Sequence, residues 1–335
     1  MQLKSAMNEL SEMGIGLFAS HVKAKMTGNY QDYYLNMQKT CESMTLPEIE
    51  KHIKEMFKIY IGRDLSLENP QSFDEKIQWL KLYDATPLKT KLVDKYLVRD
   101  FVEERTGRKD ILVPLLGVWD SFNDINFSNL PNQFVLKTNH GSGMNLVISD
   151  KSRFDKAAAK KQFDFWMQMN FAFYNGNFEM QYRDVPRKII AEKYIEQMDG
   201  NLYDYKIHCF DGKPVFLQLI GDRDLKKHTA YESFFDLNWH QLPFSEGVYP
   251  PYDSDHKPQC PSNWQEMLDI AQILGEGFSY VRVDLYSING KTLFGEMTFT
   301  PANGIHPGFN PPETDYEWGR LIKLPKKYHL KYPTK

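Results

Sequence analysis

Asp284 and Glu296 stand on either side of an Asn289-Gly290 dipeptide, inside the run Tyr280-Val-Arg-Val-Asp-Leu-Tyr-Ser-Ile-Asn-Gly-Lys-Thr-Leu-Phe-Gly-Glu-Met-Thr298. Alternating apolar and polar residues around Asn-Gly are a strong hairpin signal. Register decides what the charges do. A two-residue turn at Asn289-Gly290 would place Asp284 and Glu296 on opposite faces. A three-residue loop, Ile288-Asn289-Gly290, with Gly290 left-handed, would place them on the same face. In that register Val281, Val283, Leu285, Leu293 and Met297 point into a core, and Arg282, Asp284, Glu296 and Thr298 point away from it. This second register fits the hydrophobic pattern and is the one expected. Two carboxylates and an arginine on one sheet face suit a hard cation such as Mg2+, which takes one or two carboxylates and completes its shell with phosphate oxygens. The hairpin therefore reads either as a nucleotide–metal platform or as a solvated face with ordinary ion pairs.

Three more segments carry chemistry-capable residues. Thr138-Asn-His-Gly141-Ser142-Gly143 follows a strand that contains Lys137. Successive backbone N–H groups in such a loop can form an anion-binding concavity, and lysine adds a point charge for phosphate. A plain glycine turn is the alternative. The loop is neither a Walker A motif nor a dinucleotide fingerprint, because no Gly-Lys-Ser/Thr ends it and no helix opens there. Ile189-Ile-Ala-Glu192-Lys193-Tyr-Ile195-Glu196 is a strand running into an acidic linker, able to meet an adenine edge and ribose hydroxyls or simply to cross between domains. In Leu202-Tyr-Asp204-Tyr-Lys206-Ile-His208, period two puts Asp204, Lys206 and His208 on one face. His208 reads as a structural histidine rather than a ligand or base.

The elements that must position these residues are mixed. Residues 1–85 read as helical. Thr45 is an N-cap, Pro47 sits in a first turn, and Ile49, Ile53, Met56 and Phe57 recur at helical spacing. A second helix begins near Ser72, and a charged amphipathic helix spans 91–105 before Gly107. A buried run follows at Ile111–Leu116, then strand, glycine loop and strand from Gln133 to Ile148. A helix covers Arg153 to about Asn170, and loop covers 174–187. A hairpin around Asp211-Gly212 and a helix over 263–277 lead to the opening hairpin.

The 335 residues can bury a sizeable core, and 41% hydrophobic and 25% charged residues are ordinary for a globular protein. A net charge of −3 leaves no electrostatic footprint for nucleic acid. The three cysteines, Cys41, Cys209 and Cys260, are too scattered for a disulfide framework or a zinc site and fit a reducing cytosol. Cys209 reads as a small buried hydrophobe. No apolar stretch approaches the ~20 residues of a membrane span. No signal-peptide core opens the chain, so a cytoplasmic location is expected.

In their order along the chain these motifs resemble the ATP-grasp superfamily, and within it the TupA-like ATP-grasp family of cell-surface polysaccharide biosynthesis. The resemblance rests on Trp79-Leu-Lys-Leu-Tyr-Asp84, Asp94-Lys95, Leu115-Leu-Gly-Val-Trp-Asp120, Phe134-Val-Leu-Lys-Thr-Asn-His-Gly-Ser-Gly143, Ala191-Glu-Lys-Tyr-Ile195, Asp204-Tyr-Lys206, Arg282-Val-Asp284 and Gly295-Glu-Met-Thr-Phe-Thr-Pro301. It covers about residues 75–325.

That resemblance implies an α+β fold in which two subdomains clamp ATP, with a helical N-terminal region added. The implied division is 1–85 helical region, 86–130 pre-grasp segment, 131–196 lid subdomain and 197–330 C-terminal subdomain with the metal site. Lys95, Lys137, Lys206 and Arg282 would hold ATP phosphates, Lys206 and Arg282 being also the expected catalytic residues. Glu192, Lys193 and Ile195 would line adenine. Asp204, with Glu196 as a rival, would hold ribose, and Gly141, Ser142 and Gly143 would close over the phosphates. Asp284, Glu296 and Thr298 would hold Mg2+. Many relatives carry Asn where this chain has Thr298, so Asn303 is the other candidate for the second metal. The implied reaction joins a hexuronic acid, free or in a capsule or teichuronic-type polymer, to an amine through an acyl phosphate. Acceptor-site candidates are Arg223, Lys226, Lys227, His228 and His306. Peripheral association with a capsule-assembly complex stays open. The alternatives are a glycosyltransferase using Asp222-Arg223-Asp224 and a non-catalytic nucleotide or polysaccharide binder.

Overall fold

Amphipathic helices and alternating strands assort into two antiparallel sheets with helices packed on them. A computed structural model of the chain describes residues 30–195, 202–224 and 229–334. The fold class is α+β, with a helical N-terminal region made by α1 (Tyr30–Glu42), α2 (Leu46–Ile61) and α3 (Phe73–Tyr83). Pro47 lies in the first turn of α2, as its sequence requires, and Gly62 ends the helix in the left-handed region. At α3, Ser72 Oγ accepts from the Glu75 N–H, and the Glu75 carboxylate accepts from the Ser72 N–H. This reciprocal cap satisfies amide donors that a buried helix end would otherwise strand.

The expected single helix over 91–105 is two helices, α4 (Pro87–Val93) and α5 (Val98–Thr106). Asp94 divides them. Its carboxylate accepts from the N–H groups of Tyr96 and Leu97 at 2.8 and 3.1 Å, so the side chain competes with helix continuation. The break leaves Lys95 in a tight turn rather than on a helix face.

The smaller sheet contains β1 (Leu115–Trp119), β2 (Phe134–Thr138), β3 (Asn145–Ile148) and β4 (Ile189–Lys193), in the order β1-β4-β2-β3. Its edge strand β1 comes from the segment before residue 131. One face buries Phe134, Leu136, Ile189 and Ala191 against α6 (Lys156–Trp166), whose Phe163 is fully buried. The opposite face carries Val135, Lys137 and Glu192.

The larger sheet has the order β7-β6-β5-β8-β9, built from β5 (Asp204–Phe210), β6 (Lys213–Asp224), β7 (Thr229–Phe235), β8 (Tyr280–Ile288) and β9 (Lys291–Thr298). One face packs Ile207, Leu217, Val281, Val283 and Met297 under α7 (Trp264–Gly275). Cys209 is fully buried there. The other face is covered only in part. Phe216, Phe234 and Tyr280 lie beneath Phe73 of α3, Phe309, and Trp318 of α8 (Thr314–Leu321). Beyond that aromatic cover the same face is polar and open.

The β8–β9 hairpin corrects the expected turn. Ile288 pairs with Lys291, so the turn is the two-residue Asn289-Gly290, with φ of 52° and 73°. A bulge at Gly295 then shifts the register, so that Asp284 pairs with Glu296 and Val283 with Met297. Glycine is needed at the bulge, because a Cβ there would lie 2.9 Å from the Asp284 carbonyl oxygen. The two acids share a face as expected, but as direct cross-strand partners and through a bulge instead of a loop. One consequence is that Phe294 is buried and Leu293 only half-buried, the reverse of the expected pattern.

Candidate active site

The open polar face of the larger sheet and the Lys137–Glu192 face of the smaller one enclose a cavity of about 760 Å³. Each wall is set by strand period. On β2, Val135 and Lys137 point in while Leu136 points to the core. On β5, Asp204 and Lys206 point in while Tyr205 and Ile207 do not. Of the expected site residues, Lys95, Lys137, Ser142, Gly143, Glu192, Lys193, Ile195, Asp204, Lys206, Arg223, Asp284 and Glu296 line this space.

Most of its charges are paired. Lys137 Nζ lies 2.5 Å from Glu192 Oε2, and Arg99 Nη1 lies 3.4 Å from Glu192 Oε1. Arg223 pairs with Asp204. Lys206 Nζ donates to Asp284 Oδ2 at 2.7 Å. Arg282 grips the same carboxylate with Nε and Nη2 at 2.7 and 2.8 Å. Burial would raise the Asp284 carboxyl, but Arg282 and Lys206 outweigh it and hold it below the usual carboxylate range. Burial works against the charge of Arg282 too, yet Asp284 keeps the guanidinium firmly protonated. Glu296 is the most exposed acid of the group, with a side chain 40% exposed and Lys95 Nζ at 4.0 Å.

Lys95 is held by more than its salt bridge. Its N–H donates to the Asn139 carbonyl at 3.0 Å and its ammonium donates to the Gly141 carbonyl. Burial pushes the Lys95 ammonium down in pKa, with Glu296 pulling it back up. Asn139 in turn donates to Pro186 and accepts from the Lys188 N–H. His140 is buried, with Nε2 at 3.1 Å from the Trp166 carbonyl, and burial drives its pKa to about 4. A neutral, fixed Asn-His pair thus anchors the start of the glycine loop, while Ser142 and Gly143 beyond it are exposed.

Other expected residues lie outside the cavity wall. Gly141 is buried behind the loop. Arg282 acts on the cavity through Asp284. Thr298 Oγ accepts from Arg282 at 3.3 Å and donates to Glu296 Oε1 at 3.3 Å. Asn303 is turned away, its Oδ1 accepting from buried Lys81 at 2.7 Å. His306 is buried against Asp74. His208 is fully buried, its Nδ1 3.0 Å from the Tyr280 hydroxyl and its ring stacked on Phe216. Asp222 does not line the cavity. Glu196, Lys226, Lys227 and His228 fall outside the described residues, as does the Asp224 side chain.

Sequence reading missed Arg99, Met144, Tyr286 and Phe294, which also line the cavity. Tyr286 was legible, since it follows Asp284 at the strand period. Arg99 stands four residues after Lys95 and reaches the Val113 carbonyl at 2.7 Å, a contact no local pattern announces.

Asp284 and Glu296 are hard oxygen donors and cross-strand partners. Among the described residues no set of three or more His, Cys, Asp or Glu could hold a metal as a cage. That donor set fits Mg2+, which keeps waters and phosphate oxygens in its shell, and does not fit an all-protein centre.

A TupA-like ATP-grasp family model matches residues 75–323, and the chain belongs to that family. Its fold is accordingly an ATP-grasp. No protein of curated function matches it. Among solved structures it is similar to the D-alanine–D-alanine ligase of Helicobacter pylori, with 14% identity over 76% of this chain and 70% of that one, at a TM-score of 0.39. The Bacillus anthracis D-alanine–D-alanine ligase is 18% identical over 68% of this chain at a TM-score of 0.37, and the match spans 62% of that ligase's length. The Thermotoga maritima phosphoribosylamine–glycine ligase is 10% identical over 70% of this chain and 58% of that one, at a TM-score of 0.37. Likeness this distant carries no substrate or mechanism to this chain. Among the described residues no helix is long and apolar enough to cross a membrane.

Proposed function

We propose that the chain is an ATP-dependent carboxylate–amine ligase of the cytoplasm. It would activate a hexuronic acid, free or within a surface polysaccharide, and join it to an amine. One observation carries the reading. Lysines from three separate elements, Lys95, Lys137 and Lys206, converge on one cavity with the cross-strand pair Asp284 and Glu296.

ATP would enter with adenine beside Glu192, Lys193 and Ile195 and ribose beside Asp204. Lys95, Lys137 and Lys206 would take the phosphates, each exchanging a carboxylate partner for a phosphate oxygen. Asp284 and Glu296 would hold Mg2+, which neutralises phosphate charge when bound. Arg282, held in plane by both oxygens of Asp284, keeps that carboxylate ionised and oriented. Phosphoryl transfer depends on such positioning and charge neutralisation more than on covalent help from the protein. The substrate carboxylate would attack the γ-phosphorus, and an amine would then displace phosphate from the acyl phosphate. Ser142 and Gly143, exposed on an anchored loop, would shield that intermediate from water.

The test is ADP release from MgATP with a panel of uronic acids and hydroxylamine as the amine. ADP and a hydroxamate should appear together. ADP release without hydroxamate for every carboxylate, or no ADP at all, would contradict the reading.

A further inference from the structure

The polar face of the larger sheet does not stop at Lys206. Its register partner on β6 is Gln218, one strand further from the cavity. Gln218 Nε2 donates to Glu232 Oε1 at 2.8 Å and to Glu246 Oε2 at 3.0 Å. Gln218, Glu232 and Glu246 are 3%, 2% and 8% exposed. Glu232 Oε2 has no hydrogen-bond partner among the described residues. His306 closes the far side, with Nε2 at 3.6 Å from Glu246 Oε1 and Nδ1 at 2.5 Å from Asp74 Oδ1. One imidazolium therefore serves three buried carboxylates, which leaves the group short of positive charge. Burying unpaired carboxylates is costly, so a site of this kind is completed by a positive charge or a proton.

We propose that Glu232 and Glu246, bridged by Gln218, receive the ammonium group of the amine substrate, and that Glu232 takes the proton it must lose before it attacks. This rests on the ligase reading above. The step balances simply. R–NH3+ gives a proton to the Glu232 carboxylate. The freed nitrogen lone pair forms the C–N bond with the acyl carbon. The C–O bond to phosphate breaks, phosphate leaves with that electron pair, and it takes the second proton from nitrogen. Burial and the neighbouring Glu246 raise the Glu232 carboxyl to about 7, which suits a base working on an amine near neutral pH. Gln218 pairs with Lys206, and Glu232 pairs with Ile220, the partner of Asp204, so the base stands two strands from residues that line the cavity. An all-protein metal centre is the lesser fit, because no group of three or more His, Cys, Asp or Glu among the described residues could hold one.

Hydroxylamine, uncharged at neutral pH, separates this step from acyl-phosphate formation. In E232Q, turnover with ethanolamine should fall on the order of 10²-fold further than turnover with hydroxylamine. E246Q should raise the KM for ethanolamine by roughly tenfold, as loss of a charge-assisted contact does. A parallel calorimetric titration of the full chain with ethanolamine should show saturable binding that weakens roughly tenfold in both variants. Equal loss with both nucleophiles would overturn the proposal. So would ethanolamine binding that is absent, unchanged in the variants, or matched by K+ or tetramethylammonium. If wild-type protein makes no hydroxamate yet binds ethanolamine through Glu232 and Glu246, the ligase reading fails and the amine site stands.

Discussion

Lys206 and His208 stand two residues apart on the same face of β5, and their surroundings have nothing in common. Lys206 faces the cavity and binds Asp284. His208 lies under Phe216, Phe234 and Trp318, and burial drives its pKa well below the usual value, so it stays neutral. β8 repeats the contrast, with Asp284 open to the cavity and Tyr280 sealed beneath Phe73 at 5.2 Å. One or two strand periods separate the cavity from the packed half. The cover decides which is which: α3, α8 and the Phe309 segment close one half of the sheet and stop short of the other. A polar residue on this face thus takes its role from where the aromatic cover ends.

The contrast breaks hardest at the open half. Lys206→Met should lower kcat for ADP release by on the order of 10²–10³-fold, the usual cost of removing one positioned charge from a transition state. Its fold should survive, because Arg282 still pairs with Asp284. A kinetic assay beside a thermal melt checks both parts. In the covered half the effect should move to stability. Phe73→Ala removes a fully buried ring that meets Tyr280 and Trp318 and should cost ~3–5 kcal/mol in urea unfolding. The KM for MgATP of the folded protein should hold.

The boundary between the halves should respond to pH. Burial alone would lower the His306 pKa, but Asp74 and Glu246 raise it to about 9. A histidine whose folded pKa is raised gives stability that is complete below about 6.5 and is lost as pH rises through about 9. Unfolding free energy followed across that range should decline with pH, and His306→Gln should remove that part of the slope. A flat wild-type profile would refute the pairing. The smallest effect belongs to the glycine loop. Gly143 has φ of +71° with open space around it, so Gly143→Ala should cost only about 1 kcal/mol of backbone strain, visible as a small fall in melting temperature.

Local pattern made much of this legible. Strand period put Asp204 and Lys206 on one face, and cap chemistry marked the start of α2. Patterns failed where one residue changes the count. Asp94 divides a helix by bonding its own downstream amides. Gly295 inserts a bulge that pairs Asp284 with Glu296 and exchanges Leu293 for Phe294 in the core. Contacts distant in sequence were beyond reach altogether. Nothing local shows that Arg99 approaches Glu192, or that His306 is covered by Asp74 and Glu246.

The cavity between the two sheets should hold a magnesium nucleotide. Calorimetric titration with a non-hydrolysable ATP analogue, with and without Mg2+, tests it most directly. Wild-type protein should bind the analogue, and Mg2+ should tighten binding. Lys137→Met should weaken binding at either condition, and Glu296→Gln should remove the gain from Mg2+. No binding, or binding that neither substitution changes, would contradict the account.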